Sequence, residues 1–187
     1  MPRAGLSEEV VFEAAGRIVD ARPGATLTLA AIAERLGVKI PSLYKHVAGL
    51  PALQRSLEVR AKVAMGDAII EAAAGRSGDD AVVAVAQAYR SWALEHPGQY
   101  PLTVVAGDRD DEANMAASTR FLTLITTILS GYGLDGDDAL DATRFLRSTL
   151  HGFVSLETGG GYGMPLDVDR SFARLVAATT AALRTWA

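Results

Sequence analysis

Residues Leu27 to Val47 read LTLAAIAERLGVKIPSLYKHV, two short apolar-periodic runs divided by a glycine, and the fold turns on them. Leu29, Ile32, Ala33 and Leu36 recur at the i, i+3, i+4, i+7 spacing that gathers apolar groups on one helical face. Thr28, just before them, can accept a hydrogen bond from the first unpaired N–H groups. A helix over 29–36 is predicted. Gly37 then falls where a helix needs a left-handed C′ residue, a conformation that costs a residue bearing a Cβ about 1 kcal/mol and glycine almost nothing. A second helix must open within a few residues, and Pro41 suits its first turn, where the missing N–H has no intrahelical partner. Leu43 and Val47, four apart, are then expected to face inward.

A small residue (Ala33) for close helix approach, a glycine (Gly37) for the turn and an apolar residue (Leu43) to lock the second helix form a helix-turn-helix pattern. Such a triple arises often by chance; its ending is more specific. Leu43-Tyr44-Lys45-His46-Val47, placed after Thr28 and the Ala31-Ile32-Ala33-Glu34 run, resembles the Leu-Tyr-x-His-Phe signature that closes the recognition helix of TetR-family transcriptional regulators. The resemblance spans roughly 7–57 at motif level, and beyond that only length and helical character. It implies phosphate contacts from Thr28, Tyr44, Lys45 and His46, and a base-edge approach by Lys39, Ile40, Pro41 and Ser42. The side-chain chemistry is compatible. A lysine donates to guanine O6/N7, a serine hydroxyl serves several bases, and Ile40 or Pro41 can touch a thymine methyl.

Three positions depart from the family pattern. Lys39 stands where Ser or Thr usually caps the recognition helix, Val47 replaces Phe, and Leu50 stands where a lysine often opens the next helix. The expected DNA face is therefore lean in positive charge and leans more on backbone N–H groups near Gly49 and Pro51, at a helix start that favours phosphate.

Net charge is −4, at first sight wrong for a DNA binder. The charge is uneven, however. Residues 1–60 carry eight Lys/Arg against six Asp/Glu, and the remainder ten against sixteen. An acidic body pointing away from the duplex would suppress nonspecific association while the basic head engages phosphate. The 187 residues, 49% of them hydrophobic, suffice for a buried core. With no cysteine there is no disulfide framework, thiolate metal site or thiol nucleophile. No signal-peptide pattern and no apolar run of about 18 residues occurs, so a cytoplasmic protein without membrane association is expected. Met1 to Gly5 reads as a short arm.

The rest reads as helix. Ser7, Glu8 and Glu9 open a first helix with Val10, Ala14 and Ile18, beside Val11, Ala15 and Val19, as its buried stripe, ended by Pro23-Gly24. Further helices are predicted over 51–74, 79–96, 99–106, 111–130, 137–157 and 167–186. The expectation is an all-α chain of eight or nine helices: a helix-turn-helix DNA-binding domain at 1–50, joined by a long helix to an effector-binding and dimerisation domain at 51–187.

Two apolar faces in the last long helices are candidates for pairing with a second copy: Leu140, Phe145, Leu146, Leu150, Phe153 and Val154, and Phe172, Leu175, Val176, Ala178, Thr179, Ala182 and Leu183. In TetR-like proteins the matching pair forms a four-helix bundle with its twin. The alternative is that one chain buries both stripes in its own core. Met65, Tyr89, Trp92, His96, Tyr100, Met115, Thr119, Phe121, Leu122 and His151 mix apolar bulk with polar tips, which suits a pocket for a mostly apolar small molecule. Most such aromatics serve as core. His151 is the sharpest candidate, because Leu150-His151-Gly152 resembles the Trp-His-Gly stretch of one TetR C-terminal domain subtype, with Leu150 replacing Trp. His96, before Pro97, also reads simply as a helix-ending histidine at the negative end of the dipole.

Gly159-Gly160-Gly161-Tyr162-Gly163 has no Lys-Ser/Thr after it and no strand before it, so it reads as a connection and not as a phosphate loop. Asp135 to Asp138 and Asp108 to Glu112 match no calcium loop and read as acidic helix starts. His46, His96 and His151 lack metalloprotease spacing, and no nucleophile elbow occurs. No metal, cofactor or catalytic constellation is expected. The sequence thus points to a ligand-responsive regulator, expected to be a repressor, that binds double-stranded operator DNA as a homodimer and is released by an effector it does not name. The alternatives are an all-helical small-molecule-binding protein or enzyme using the helix-turn-helix as scaffold, and a nucleoid-type DNA binder without an effector.

Overall fold

The computed structural model describes residues 5–105 and 110–186. Among them the chain forms nine helices and no strand: α1 (Glu8–Ala21), α2 (Leu29–Leu36), α3 (Ile40–Leu43), α4 (Leu50–Ala73), α5 (Gly78–Glu95), α6 (Tyr100–Thr103), α7 (Glu112–Ser130), α8 (Gly136–Thr158) and α9 (Val168–Arg184). The all-α expectation holds. Ala106 and the Asp108-Arg109 pair of the acidic stretch lie outside the described residues, as do the first four residues of the arm.

Local chemistry sets the ends of these helices. Ser7 Oγ accepts from Val10 N at 3.3 Å and starts α1; Thr28 Oγ1 accepts from Ala31 N at 3.1 Å and starts α2. Gly37 ends α2 at φ 64°, with its own N–H and that of Val38 donating back to the last turn. Asp111 Oδ1 caps α7 through Asn114 N. The buried side of α1 is Val11, Phe12, Ala14 and Ala15, a rotation from the predicted stripe that brings Phe12 in and leaves Val10, Ile18 and Val19 half-buried.

The chain divides into two compact units, Met1–Val63 with His96–Gly107, and Ala64–Glu95 with Asp108–Ala187. These units are drawn differently from the 1–50 and 51–187 division. The first takes in the start of α4 and recovers a later stretch of chain containing α6. Its core is Val11, Phe12, Ala14, Ala15, Leu27, Ile32, Ala33, Leu43, Val47, Leu53 and Leu57, with Leu102 packed against it. Arg60 reinforces it by pairing with Glu9 at 2.6 Å and laying its guanidinium 4.4 Å from the Phe12 ring centroid.

In the second unit α5 packs against α7, α8 and α9, and α8 against α7 and α9. Two polar ties run along α5. Near its start, Asp79 accepts from Tyr132 Oη at 2.7 Å and pairs with Arg184. Nearer its end, Arg90 forms two hydrogen bonds to Glu157 and one to Asp169, and its guanidinium lies 4.8 Å from the Phe172 ring centroid. The Glu157 hydrogen bond raises the Arg90 pKa, outweighing the desolvation that opposes it, so the group stays charged. Burial raises the pKa of Tyr132; Tyr162 is raised by desolvation and then by the charge of Glu157.

Most of the apolar faces nominated for pairing are already used within the chain. Leu146, Leu150, Phe153, Val154, Phe172, Val176, Thr179 and Leu183 are buried inside the second unit. The residues that α8 leaves outside include Leu140, Arg144, Ser148, Gly152, Ser155 and Leu156; those of α9 include Arg170, Ala173, Arg174, Ala177, Ala178 and Ala181.

Candidate nucleic-acid interface

The exposed recognition segment is short. Helix α3 lasts four residues, and the chain then continues through a turn, His46 N and Val47 N both donating to the Leu43 carbonyl at 2.9 and 3.0 Å. Lys39, at the N-cap, makes no side-chain capping bond, which removes one support for a longer helix. Burial holds the segment instead: Leu43 is fully buried and Val47 nearly so. Around these two anchors Lys39, Ile40, Pro41, Tyr44 and Lys45 are exposed, and Ser42 and His46 are half-buried. Tyr44, at 58% exposure, stands out from the surface with its phenol in solvent.

Thr28 is exposed as well. Its hydroxyl oxygen is used as acceptor by Ala31 N, which leaves the O–H able to donate outward. The structure therefore brings all eight residues of the expected DNA-contacting set into the first unit, on either side of the Gly37 turn.

The expected effector set is divided between the two units. Met65, Tyr89, Trp92, Met115, Thr119 and His151 belong to the second unit, whereas His96 and Tyr100 belong to the first. Met65, Tyr89, Trp92 and Tyr100 are buried, Met115 and Thr119 lie exposed on α7, and His151 is half-buried. His96 directly follows Glu95, the last residue of α5, as a helix-ending histidine would, and its Nδ1 also lies 3.2 Å from Asp20 Oδ2 of α1. The second unit has a depression of about 660 Å³ between α5 and α9, whose lining includes Val83, Gln87, Arg90, Phe172, Val176 and Thr180. A smaller one, about 300 Å³, lies between the end of α4 and α5 around Ala72, Arg76 and Ala88. None of the expected effector residues lines either. Sequence reading missed the larger groove because its walls, α5 and α9, come from helices far apart in the chain.

Among the described residues no three His, Asp or Glu side chains converge as a metal site, and no helix is long and apolar enough to cross a membrane.

Comparison with known proteins agrees with this architecture. Residues 82–179 match the family model of the tetracyclin repressor-like C-terminal domain, a span that includes Leu150-His151-Gly152. The chain is 39% identical over 174 residues to the uncharacterized HTH-type transcriptional regulator Rv0681 of Mycobacterium tuberculosis, covering 92% of this chain and 79% of that one. It is 35% identical over 157 residues to the uncharacterized HTH-type transcriptional regulator YobS of Bacillus subtilis, covering 83% and 81%. The solved structure of TetR from Acinetobacter baumannii AYE superimposes with a TM-score of 0.70 over 96% of this chain and 97% of that one; at 16% identity this likeness speaks for the fold. The head with its helix-turn-helix, the all-helical body and these relatives together place the chain in the TetR family of transcriptional regulators.

Proposed function

We propose that the protein is a ligand-responsive repressor that binds a palindromic operator as a homodimer in the cytoplasm and is released by a small, mostly apolar effector. The observation that carries the reading is the recognition segment. Lys39 to Ser42 and Tyr44 to His46 present donors and apolar edges to solvent around the buried Leu43 anchor. In this reading Lys39, Ile40, Pro41 and Ser42 meet base edges, and Thr28, Tyr44, Lys45 and His46 meet phosphates. One such segment reads only a few base pairs, so a twofold pair reading two half-sites supplies the specificity.

The effector site is proposed in the second unit, among Met65, Tyr89, Trp92, Met115, Thr119 and His151. His96 and Tyr100, the remaining two residues of the expected set, belong to the first unit. Effector binding shifts the population toward a state in which the two α4 helices splay and the recognition segments no longer match successive grooves. A hundredfold loss of DNA affinity requires about 2.7 kcal/mol of coupling. As a sensor, the protein returns its ligand unchanged.

Selection of bound fragments from a random duplex library at physiological salt tests the reading, with Tyr44→Ala as control. An inverted repeat is expected, lost in the control; recovery of fragments with no common sequence would overturn it. On the selected duplex, Lys45→Ala should weaken binding to all sequences and flatten the log–log salt dependence by about one unit. Lys39→Ala and Ser42→Ala should instead relax sequence preference. An unchanged salt slope in Lys45→Ala would remove that residue from the phosphate contacts.

A further inference from the structure

Asp20 occupies the last turn of α1, where the helix dipole disfavours a carboxylate, yet it is held at the centre of a cluster built from residues more than seventy positions away. Its Oδ1 accepts from the backbone N–H groups of Gly98 at 3.0 Å and Gln99 at 2.9 Å; its Oδ2 accepts from Gln99 Nε2 at 2.6 Å and faces His96 Nδ1 at 3.2 Å. The backbones are equally close. A Cβ on Gly98 would fall 1.9 Å from the Val19 carbonyl oxygen, and the Gln99 side chain packs over Gly16, where a Cβ would stand 3.2 Å from its Nε2. The 96–99 turn is thus pressed onto the last part of α1, from Gly16 to Asp20, just over one helical turn, and all of these residues belong to the first unit. Helix α5, which belongs to the second, ends at Glu95, one peptide bond before this turn.

We propose that Asp20 is a clamp that binds the 96–99 turn to α1, so that a displacement of α5 is transmitted to the DNA-binding head through α1 as well as along α4. The proposal rests on the regulator reading above for the meaning of the signal, but the clamp itself stands on the hydrogen bonds and the backbone approach. A carboxylate with these donors has two arrangements, docked and undocked, and both the head and α5 bias the choice between them. By reciprocity, DNA bound to the head must then be felt at the end of α5.

Residue-resolved amide hydrogen exchange on the full-length protein tests this, comparing wild type, Asp20→Ala and Gly98→Ala. The second variant keeps the carboxylate but places a methyl where the Val19 carbonyl sits, so it lifts the turn by an independent route; Asp20→Asn, which keeps an acceptor oxygen, serves if Asp20→Ala does not fold. Without DNA, each variant should speed exchange of the Gln99 amide and of the last turn of α1 by about tenfold, leaving α8 and α9 unchanged. Faster exchange confined to the turn, or no change in either place, would overturn the clamp. With the selected duplex, the wild-type protein should gain protection over 91–95 as well as 28–47. Asp20→Ala should lose the first and keep the second. Protection of 91–95 that persists in Asp20→Ala, or never arises in wild type, would overturn the transmission. If the library yields no preferred duplex, the DNA-binding reading fails, and the comparison without DNA decides the clamp by itself.

Discussion

Thr28 does two things with one oxygen. It accepts from Ala31 N, satisfying an otherwise unpaired amide at the start of α2, and the hydroxyl of this exposed residue keeps its O–H free to donate to a partner outside. Thr28→Val should therefore lower the unfolding free energy by about 1 kcal/mol, measured by denaturant melt, and also weaken DNA binding, whereas Thr28→Ser should preserve both. Arg90 is a residue of another kind, its side chain 15% exposed beside a Glu157 side chain at 14%. Arg90→Ala strands that carboxylate and should cost about 3 kcal/mol, while a double replacement of Arg90 by Met and Glu157 by Leu should recover most of the loss in the same melt. A double variant no more stable than Arg90→Ala would show that the ion pair is needed for the packing of α5, α8 and α9. The caps at Ser7, Thr28 and Gly37 were legible in the sequence because each acts on atoms within four residues. Asp20 was not, since its partners are brought to it by tertiary folding. The one local trace was its position, an acidic side chain in the last turn of a helix where a basic one would be favoured.

The recognition element is an element mostly by virtue of what lies beneath it. Four residues of helix and a following turn have too few internal hydrogen bonds to persist alone, and Leu43 and Val47 tie them to the first-unit core. Leu43→Ala should accordingly cost about 3 kcal/mol in a urea melt and abolish operator binding together with the folded head. If binding survives with the melt shifted, the segment is held by more than this anchor. Helix boundaries elsewhere were legible to within a residue or two, because capping residues and glycines marked them, except that α6 stops at Thr103 where the prediction ran to 106. The destination of each apolar face was less legible. Periodicity reports that Leu146, Leu150, Phe153 and Val176 are buried, but not whether their cover comes from the same chain or from a second copy, and here the cover is the chain's own.

For the whole molecule, the homodimer proposed above would pair through the outer side of α8 and α9, where the exposed Gly152, Ala177 and Ala178 would let helices approach closely. Ala178→Arg lies outside the single-chain core. It should turn a sedimenting dimer into a monomer with little change in helical content, and weaken operator binding by more than about thirtyfold through loss of the second half-site. A dimer that tolerates this arginine uses another face.

The return of the chain to its first unit at His96 also bears on how the molecule is made. Leu102 packs against the head core, and the amides of Gly98 and Gln99 are the donors that Asp20 receives, so a nascent chain that has reached only Val63 lacks part of the head. Roughly forty more residues must emerge before it is whole, which at ribosomal speeds is a delay of about 2–8 s. The portion synthesised first is thus not finished first, and all of α4 and α5 is already outside the ribosome when the DNA-reading half acquires its last pieces.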